Sequence, residues 1–159
     1  MKTLIVFYSR TGCTRAVAGK LAPLLGADLE ELRETADRSG ALGYLRAGRD
    51  AAQGRPAELL PGVRRADGYD LVVVGTPVWA FTMCPAVRAW LAREAAGLRA
   101  VAFLCTHGGS GAERAMRHMA ELAGREPVAS LVLRDRDIRA GACEEAIAGF
   151  AAACANRPD

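Results

Sequence analysis

Short apolar runs rich in β-branched residues recur at residues 3–8, 71–74, 101–105 and 128–133. Each is too short for a helix and apolar at alternating and intervening positions alike, the pattern of a strand covered on both faces. The intervening stretches carry helical spacing instead: Val17, Leu21, Leu24 and Leu25; Val87, Trp90 and Leu91; Met116, Met119 and Leu122; Ala146, Ile147, Phe150 and Cys154. One apolar stripe per helix requires a sheet beneath it. A weaker strand at 28–33 brings the expected number to about five. The alternation predicts a doubly wound α/β sheet, parallel, with right-handed crossovers and helices on both faces.

The 34–69 segment breaks this rhythm with Gly40, Gly43, Gly48, Gly54, Pro56, Pro61 and Gly62 around a short helix expected at 44–52. It reads as an elaborated crossover rather than a linker, so residues 1–159 are expected to form a single domain. Cys13, Cys84, Cys105, Cys143 and Cys154 show neither CxxC spacing nor a neighbouring histidine, which indicates no metal site and no disulfide framework. Reduced thiols, no membrane-length apolar stretch and the brief apolar segment of MKTLIVFYSR lead to an expected cytoplasmic location and no membrane partner. A net charge of +3 with dispersed arginines and few aromatics does not make a nucleic-acid footprint.

In open parallel sheets ligands bind outside the carboxyl ends of the strands, so the loops after the strong strands decide function. The first is SRTGCT, residues 9–14. Ser9, Thr11 and Thr14 supply hydroxyls, Arg10 a cation and Gly12 a close backbone approach. A helix starting near Cys13 or Thr14 would aim free N–H groups and its positive end at a phosphate. A serine and threonine helix cap without ligand satisfies the same donors, and this loop alone does not choose between the two.

Other phosphate chemistries fail on spacing. Gly12 stands seven positions before Gly19, and Gly19-Lys20 is followed by Leu21, so there is no P-loop. Gly19 occupies the place where a phosphatase loop starting at Cys13 would need arginine, and Tyr8 and Ser9 stand where a receiver domain would need acids.

The second loop, GTPVWAFTMCP, offers Pro77, Val78, Trp79, Ala80 and Phe81, flat side chains at a strand end that suit a flat ligand. Covering the sheet edge is a competing role for Trp79. The third, THGGSGAE, presents Thr106, His107, Gly108, Gly109, Ser110 and Gly111, bare backbone for polar ring edges. Ser110 to Glu113 also matches a capping box. His107 reads first as an exposed loop residue, with a role as the best proton donor of this edge as the alternative, whereas His118 is expected to be solvated among charged neighbours. A phosphate cradle, aromatic walls and a glycine-rich edge together describe a mononucleotide carrying a flat ring system.

With TLIVFYSRTGCT, DLVVVGTPVWAFTMCPAV and FLCTHGGSGA in this order, the chain resembles the flavodoxin-like family of FMN-binding proteins over nearly its whole length. The resemblance implies the five-stranded order 2-1-3-4-5 of a short-chain member, with FMN at the switch point. It implies that Ser9 to Thr14 hold the phosphate, Pro77 to Phe81 flank the isoalloxazine with Trp79 in contact and Ala80 near N5, and Thr106 to Gly111 approach the pyrimidine edge. Related loops often carry glycine where Phe81 stands, at a peptide that flips toward the reduced ring; a bulky residue opposes the positive φ this needs. Electron-shuttling relatives are commonly acidic, and this chain is not. The expected function is electron transfer through non-covalent FMN, to a redox partner protein or small-molecule acceptor. The alternative is an NAD(P)H-dependent quinone or small-aromatic oxidoreductase, in which 34–69, Phe81 and His107 shape a substrate pocket.

Overall fold

The computed structural model describes residues 1–61 and 64–156. Its elements are, in chain order, β1 (Thr3–Phe7), α1 (Cys13–Leu25), β2 (Asp28–Glu31), α2 (Gly40–Ala52), β3 (Leu71–Trp79), β4 (Thr82–Met83), α3 (Pro85–Glu94), β5 (Val101–His107), α4 (Ala112–Ala123), β6 (Ser130–Arg134), α5 (Asp135–Arg139) and α6 (Glu144–Ala155). The strands run β2-β1-β3-β5-β6 and pair in parallel. This is the expected order of five parallel strands. The difference in numbering comes from β4, a two-residue strand that folds back antiparallel on the end of β3.

Side-chain alternation builds two cores. Leu4, Val6, Val72, Val74 and Phe103 face Val87, Trp90, Leu91, Ala115 and Met119 of α3 and α4. Ile5, Phe7, Val73, Ala102 and Leu104 face Val17, Leu21, Ile147 and Phe150 of α1 and α6. Each fully buried aliphatic side chain contributes roughly 1.5–3 kcal/mol, and replacing the buried Trp90 by alanine would cost about 3–5 kcal/mol.

Two strand expectations change. β6 is an edge strand covered on one face only, with Leu131 and Leu133 buried and Val132 exposed, and it begins at Ser130 rather than residue 128. β3 continues through Pro77 to Trp79. Its pairing with β1 ends at Gly75, so the proline sits where one side of the strand has no β1 partner. Gly75 is required there for another reason. A Cβ on it would come within 2.9 Å of Phe7 Cβ and 3.3 Å of Thr14 Cγ2. Its absence lets the start of α1 settle on the sheet, beside the strands that end at the site.

The 34–69 crossover is anchored rather than loose. Arg38 is buried and pairs with Glu34 and Asp50. α2 starts at Gly40, earlier than the expected 44, because Gly43 can approach the Arg38 backbone; a Cβ there would lie 2.2 Å from Arg38 C. Gly62, one of the punctuating glycines, lies outside the described residues.

Candidate functional site

The carboxyl ends of β1, β3 and β5 converge on a cavity of about 360 Å3. Arg10, Thr11 and Thr14 line it from the first loop, Pro77, Val78, Trp79 and Ala80 from the second, and Thr106, His107 and Gly108 from the third. Ser9, Gly12, Cys13, Phe81, Gly109, Ser110 and Gly111 are not among its lining residues.

Ser9 supports the first loop from inside. Its Oγ accepts the N–H groups of Gly12 and Arg15, each at 3.2 Å. Gly12 takes φ +94 at the helix start. The N–H groups of Cys13 and Thr14 find no acceptor among the described residues, so the first turn keeps two donors free. The serine cap and the free donors therefore coexist, which removes the choice between cap and anion site. Thr14 Oγ1 shares a buried 2.9 Å hydrogen bond with Thr106 Oγ1, tying the first loop to the third. Arg10 donates to the Arg38 and Gly40 carbonyls and lies over the Tyr44 ring at 5.2 Å, fastening α2 beside the loop.

The second loop is a two-residue hairpin, with Val78 opposite Met83 and Trp79 opposite Thr82. Ala80 and Phe81 both take positive φ, +48° and +63°. Phe81 thus adopts the positive φ that was expected to be costly for a bulky residue. A two-residue connection matched to strand twist needs positive φ at both central positions, and hairpin pairing imposes it on two side-chain-bearing residues at a cost of order 1 kcal/mol each. Thr76 fixes the base of the turn: its Oγ1 donates to Pro77 O and accepts Cys84 N–H. Trp79 meets Tyr8 edge to face at 5.4 Å and lies 5.7 Å from the Arg38 guanidinium. Burial, then Glu34, pushes the Tyr8 hydroxyl well above its ordinary range, so it remains neutral. Burial likewise pushes the Cys84 thiol up to about 11, an unreactive structural group.

The third loop departs from its capping-box expectation. α4 is capped by Gly111 at φ +95, with no side-chain cap bond, and Ser110 is exposed. His107 is not the exposed loop residue expected: it ends β5 only 9% exposed because the strand runs on to it, and its Nδ1 has no hydrogen-bond partner among the described residues. His107 lines the cavity, and its buried, unpaired ring nitrogen costs free energy. Tyr44, Ala47 and Gly48 of α2, together with Asp135 at the start of α5, complete the wall; the sequence placed the 34–69 segment beside a pocket only in the alternative reading and without singling out these three, and Asp135 was missed. The i, i+3, i+4 spacing of the first three and the position of Asp135 after the last strand were the available signals.

His118 sits among charged neighbours as expected but is only partly solvated. It is half-buried, and its Nδ1 lies 2.7 Å from Thr82 Oγ1, on the far side of the hairpin. Among the described residues no acid, histidine or cysteine cluster has metal-site geometry, and no helix is long and apolar enough to cross a membrane.

Residues 2–145 match the family model described as flavodoxin. The chain belongs to the flavodoxin family. No curated protein sequence matches it significantly. Among solved structures, the Lactobacillus acidophilus flavoprotein crystallised with FMN is 25% identical to this flavodoxin-family chain, with TM-score 0.71, covering 87% of this chain and 97% of the other. The two-electron-reduced flavodoxin of Megasphaera elsdenii is similar at 19% identity, TM-score 0.59 and 95% and 98% coverage. Flavodoxin 1 of Bacillus cereus, in its oxidised form, is similar at 13% identity and TM-score 0.61 over 100% of both chains. The last two likenesses speak to the fold of this flavodoxin-family member alone.

Proposed function

We propose that the chain binds FMN in the cavity at the carboxyl edge of its sheet and serves as a flavin redox protein. The observation that carries this reading is the convergence of Arg10, Thr11 and Thr14 from a helix start with free N–H donors, Trp79 and His107 on one cavity. The residues present fit the group. Cys13 and Thr14 N–H, the Thr11 hydroxyl and Arg10 suit a phosphate. Pro77 to Ala80 and Thr106 to Gly108 suit a flat ring and its polar edges. The FMN in the structurally similar Lactobacillus acidophilus flavoprotein supports the assignment.

Bound FMN would supply the electron transfer, to a redox partner protein or a small-molecule acceptor. The chain's own residues bind, orient and screen it. The Thr14–Thr106 bond sets the distance between phosphate loop and ring loop. Tyr8 and Arg38 hold the Trp79 indole in one attitude. Trp79 and α2 exclude water from one side of the cavity.

The second reading, a reductase of quinones or small aromatics, is favoured by one observation: Tyr44, Ala47 and Gly48 extend the cavity wall beyond the three ring and phosphate loops. The visible spectrum of the purified protein tests both. A colourless sample that quenches no FMN fluorescence on titration would falsify them together. For a yellow sample, reduction in two resolved one-electron steps supports the electron carrier, and direct reduction by NAD(P)H with quinone turnover supports the enzyme.

A further inference from the structure

On the far side of the β3–β4 hairpin lies a second hollow of about 530 Å3, reached by Arg88 of α3 and by Arg114 and His118 of α4. Ala80 lines both this hollow and the proposed flavin cavity, so the hairpin is the partition between them. We propose that this hollow binds the phosphate group of a small organic phosphate, held by the Arg88 and Arg114 guanidinium groups with His118 as a third donor.

The charge of the hollow is unbalanced. Neither Arg88 nor Arg114 forms an ion pair among the described residues, and Glu121 is the single acid that lines the hollow. Arg88 Nη2 donates to Thr82 Oγ1 at 3.2 Å, while its Nε is buried without an acceptor. A half-buried guanidinium without a counter-ion is costly, and an anion at its open Nη edge would offset that cost. Arg114 stands in the first turn of α4, where the helix dipole repels a cation and attracts an anion. Two forked cations on different helices, α3 and α4, suit the several oxygens of a phosphate better than one carboxylate.

His118 makes the site sensitive to pH. It is faced by Arg114, Arg117 and Glu121 of its own helix, by Arg88 of α3 and by Thr82 of β4. Burial, then Arg114, hold its ring below its ordinary value against the opposing pull of Glu121; Arg88 and Arg117 add to the lowering. The ring is therefore neutral at neutral pH. An anion between the arginines offsets their field, raises the histidine and draws in a proton, so binding tightens as pH falls.

The chain has only two histidines, which serve as separate reporters. Protein incubated with FMN is titrated with sodium phosphate, and with sodium chloride at matched ionic strength, while the imidazole C–H signals are followed by NMR. Phosphate is expected to displace the His118 signals saturably, chloride is not, and the Kd tightens about three- to tenfold from mildly alkaline to mildly acidic pH. Arg114→Ala, at an exposed position, weakens binding at least about tenfold, and Arg125→Ala, outside the hollow, leaves it unchanged. Adenosine monophosphate is run alongside: tighter binding than inorganic phosphate assigns the site to an organic phosphate. Equal responses to phosphate and chloride, an unaltered Arg114→Ala variant, adenosine monophosphate no tighter than phosphate, or displacement of His107 in place of His118 would each overturn the proposal. The colour of FMN reports the other cavity, so a colourless protein whose His118 still responds refutes the flavin reading alone.

Discussion

Phe81 lies against Gly111: a Cβ on that glycine would come within 2.8 Å of Phe81 Cα and 2.9 Å of Phe81 Cδ1. The hairpin tip and the glycine-rich loop thus touch through the one residue type that leaves room. Gly111→Ala adds that clash to the strain of a side chain at φ +95, and is expected to cost about 1–3 kcal/mol of stability. Chemical denaturation measures it, and FMN affinity should fall as the loops part. Unchanged stability would show that the hairpin yields freely.

Phe81→Gly acts in the opposite sense on the backbone. Left-handed φ costs a non-glycine residue roughly 1–2 kcal/mol, and glycine removes that cost while giving up the contact with Gly111. Overall stability should change by less than about 1 kcal/mol. The freed Ala80–Phe81 peptide is expected to widen the separation between the two one-electron reduction steps of FMN-loaded protein. Spectroelectrochemical titration superimposable on that of the wild type would count against a role for this peptide.

His107→Leu removes the buried nitrogen that has no partner in the protein. The unliganded protein is expected to keep or gain stability, while FMN binding weakens by roughly tenfold for one lost hydrogen bond. Fluorescence titration with FMN and a melting curve without it separate the two effects. A loss of stability in the absence of FMN would instead assign His107 a structural bond.

Thr14→Val leaves the buried Thr106 hydroxyl unpaired and should cost about 1–3 kcal/mol. Combining it with Thr106→Val removes both partners, and the double variant should recover most of that loss. A double variant no better than the sum of the two singles, measured in urea, would refute direct coupling of the two loops through this bond.

Burial raises the Cys84 thiol to about 11 and the Cys105 thiol to about 12. Both acids thus ionise less readily folded than unfolded. Their stabilising contribution is complete below the unfolded value of 9.0 and is lost progressively as pH rises from there toward the folded values. Urea midpoints should be flat through neutrality and fall above about pH 9, and iodoacetamide should leave both thiols unmodified in the native protein. Rapid native alkylation would contradict their burial.

The parallel doubly wound sheet, the helices on both its faces and the three edge loops follow from local pattern, because strand and helix periods are written in the sequence itself, whereas the strand order came from the resemblance to the flavodoxin-like family. Central strands such as residues 71–74 and 101–105 are apolar throughout because both faces are covered, and this was legible. The phosphate loop was legible in residue types but ambiguous in role, since Ser9 serves as cap and leaves Cys13 and Thr14 free at once. Only the tertiary structure decided the rest. Gly75 matters because α1 crosses over it, and Tyr44 and Asp135 reach the cavity because the crossover and the last strand end beside it. Phe81 takes left-handed backbone because cross-strand pairing on either side closes the turn and outweighs its own preference. Propensity belongs to single residues and short windows, whereas close approach, unpaired burial and enforced φ arise between segments distant in the chain. Those relations set the shape of the site.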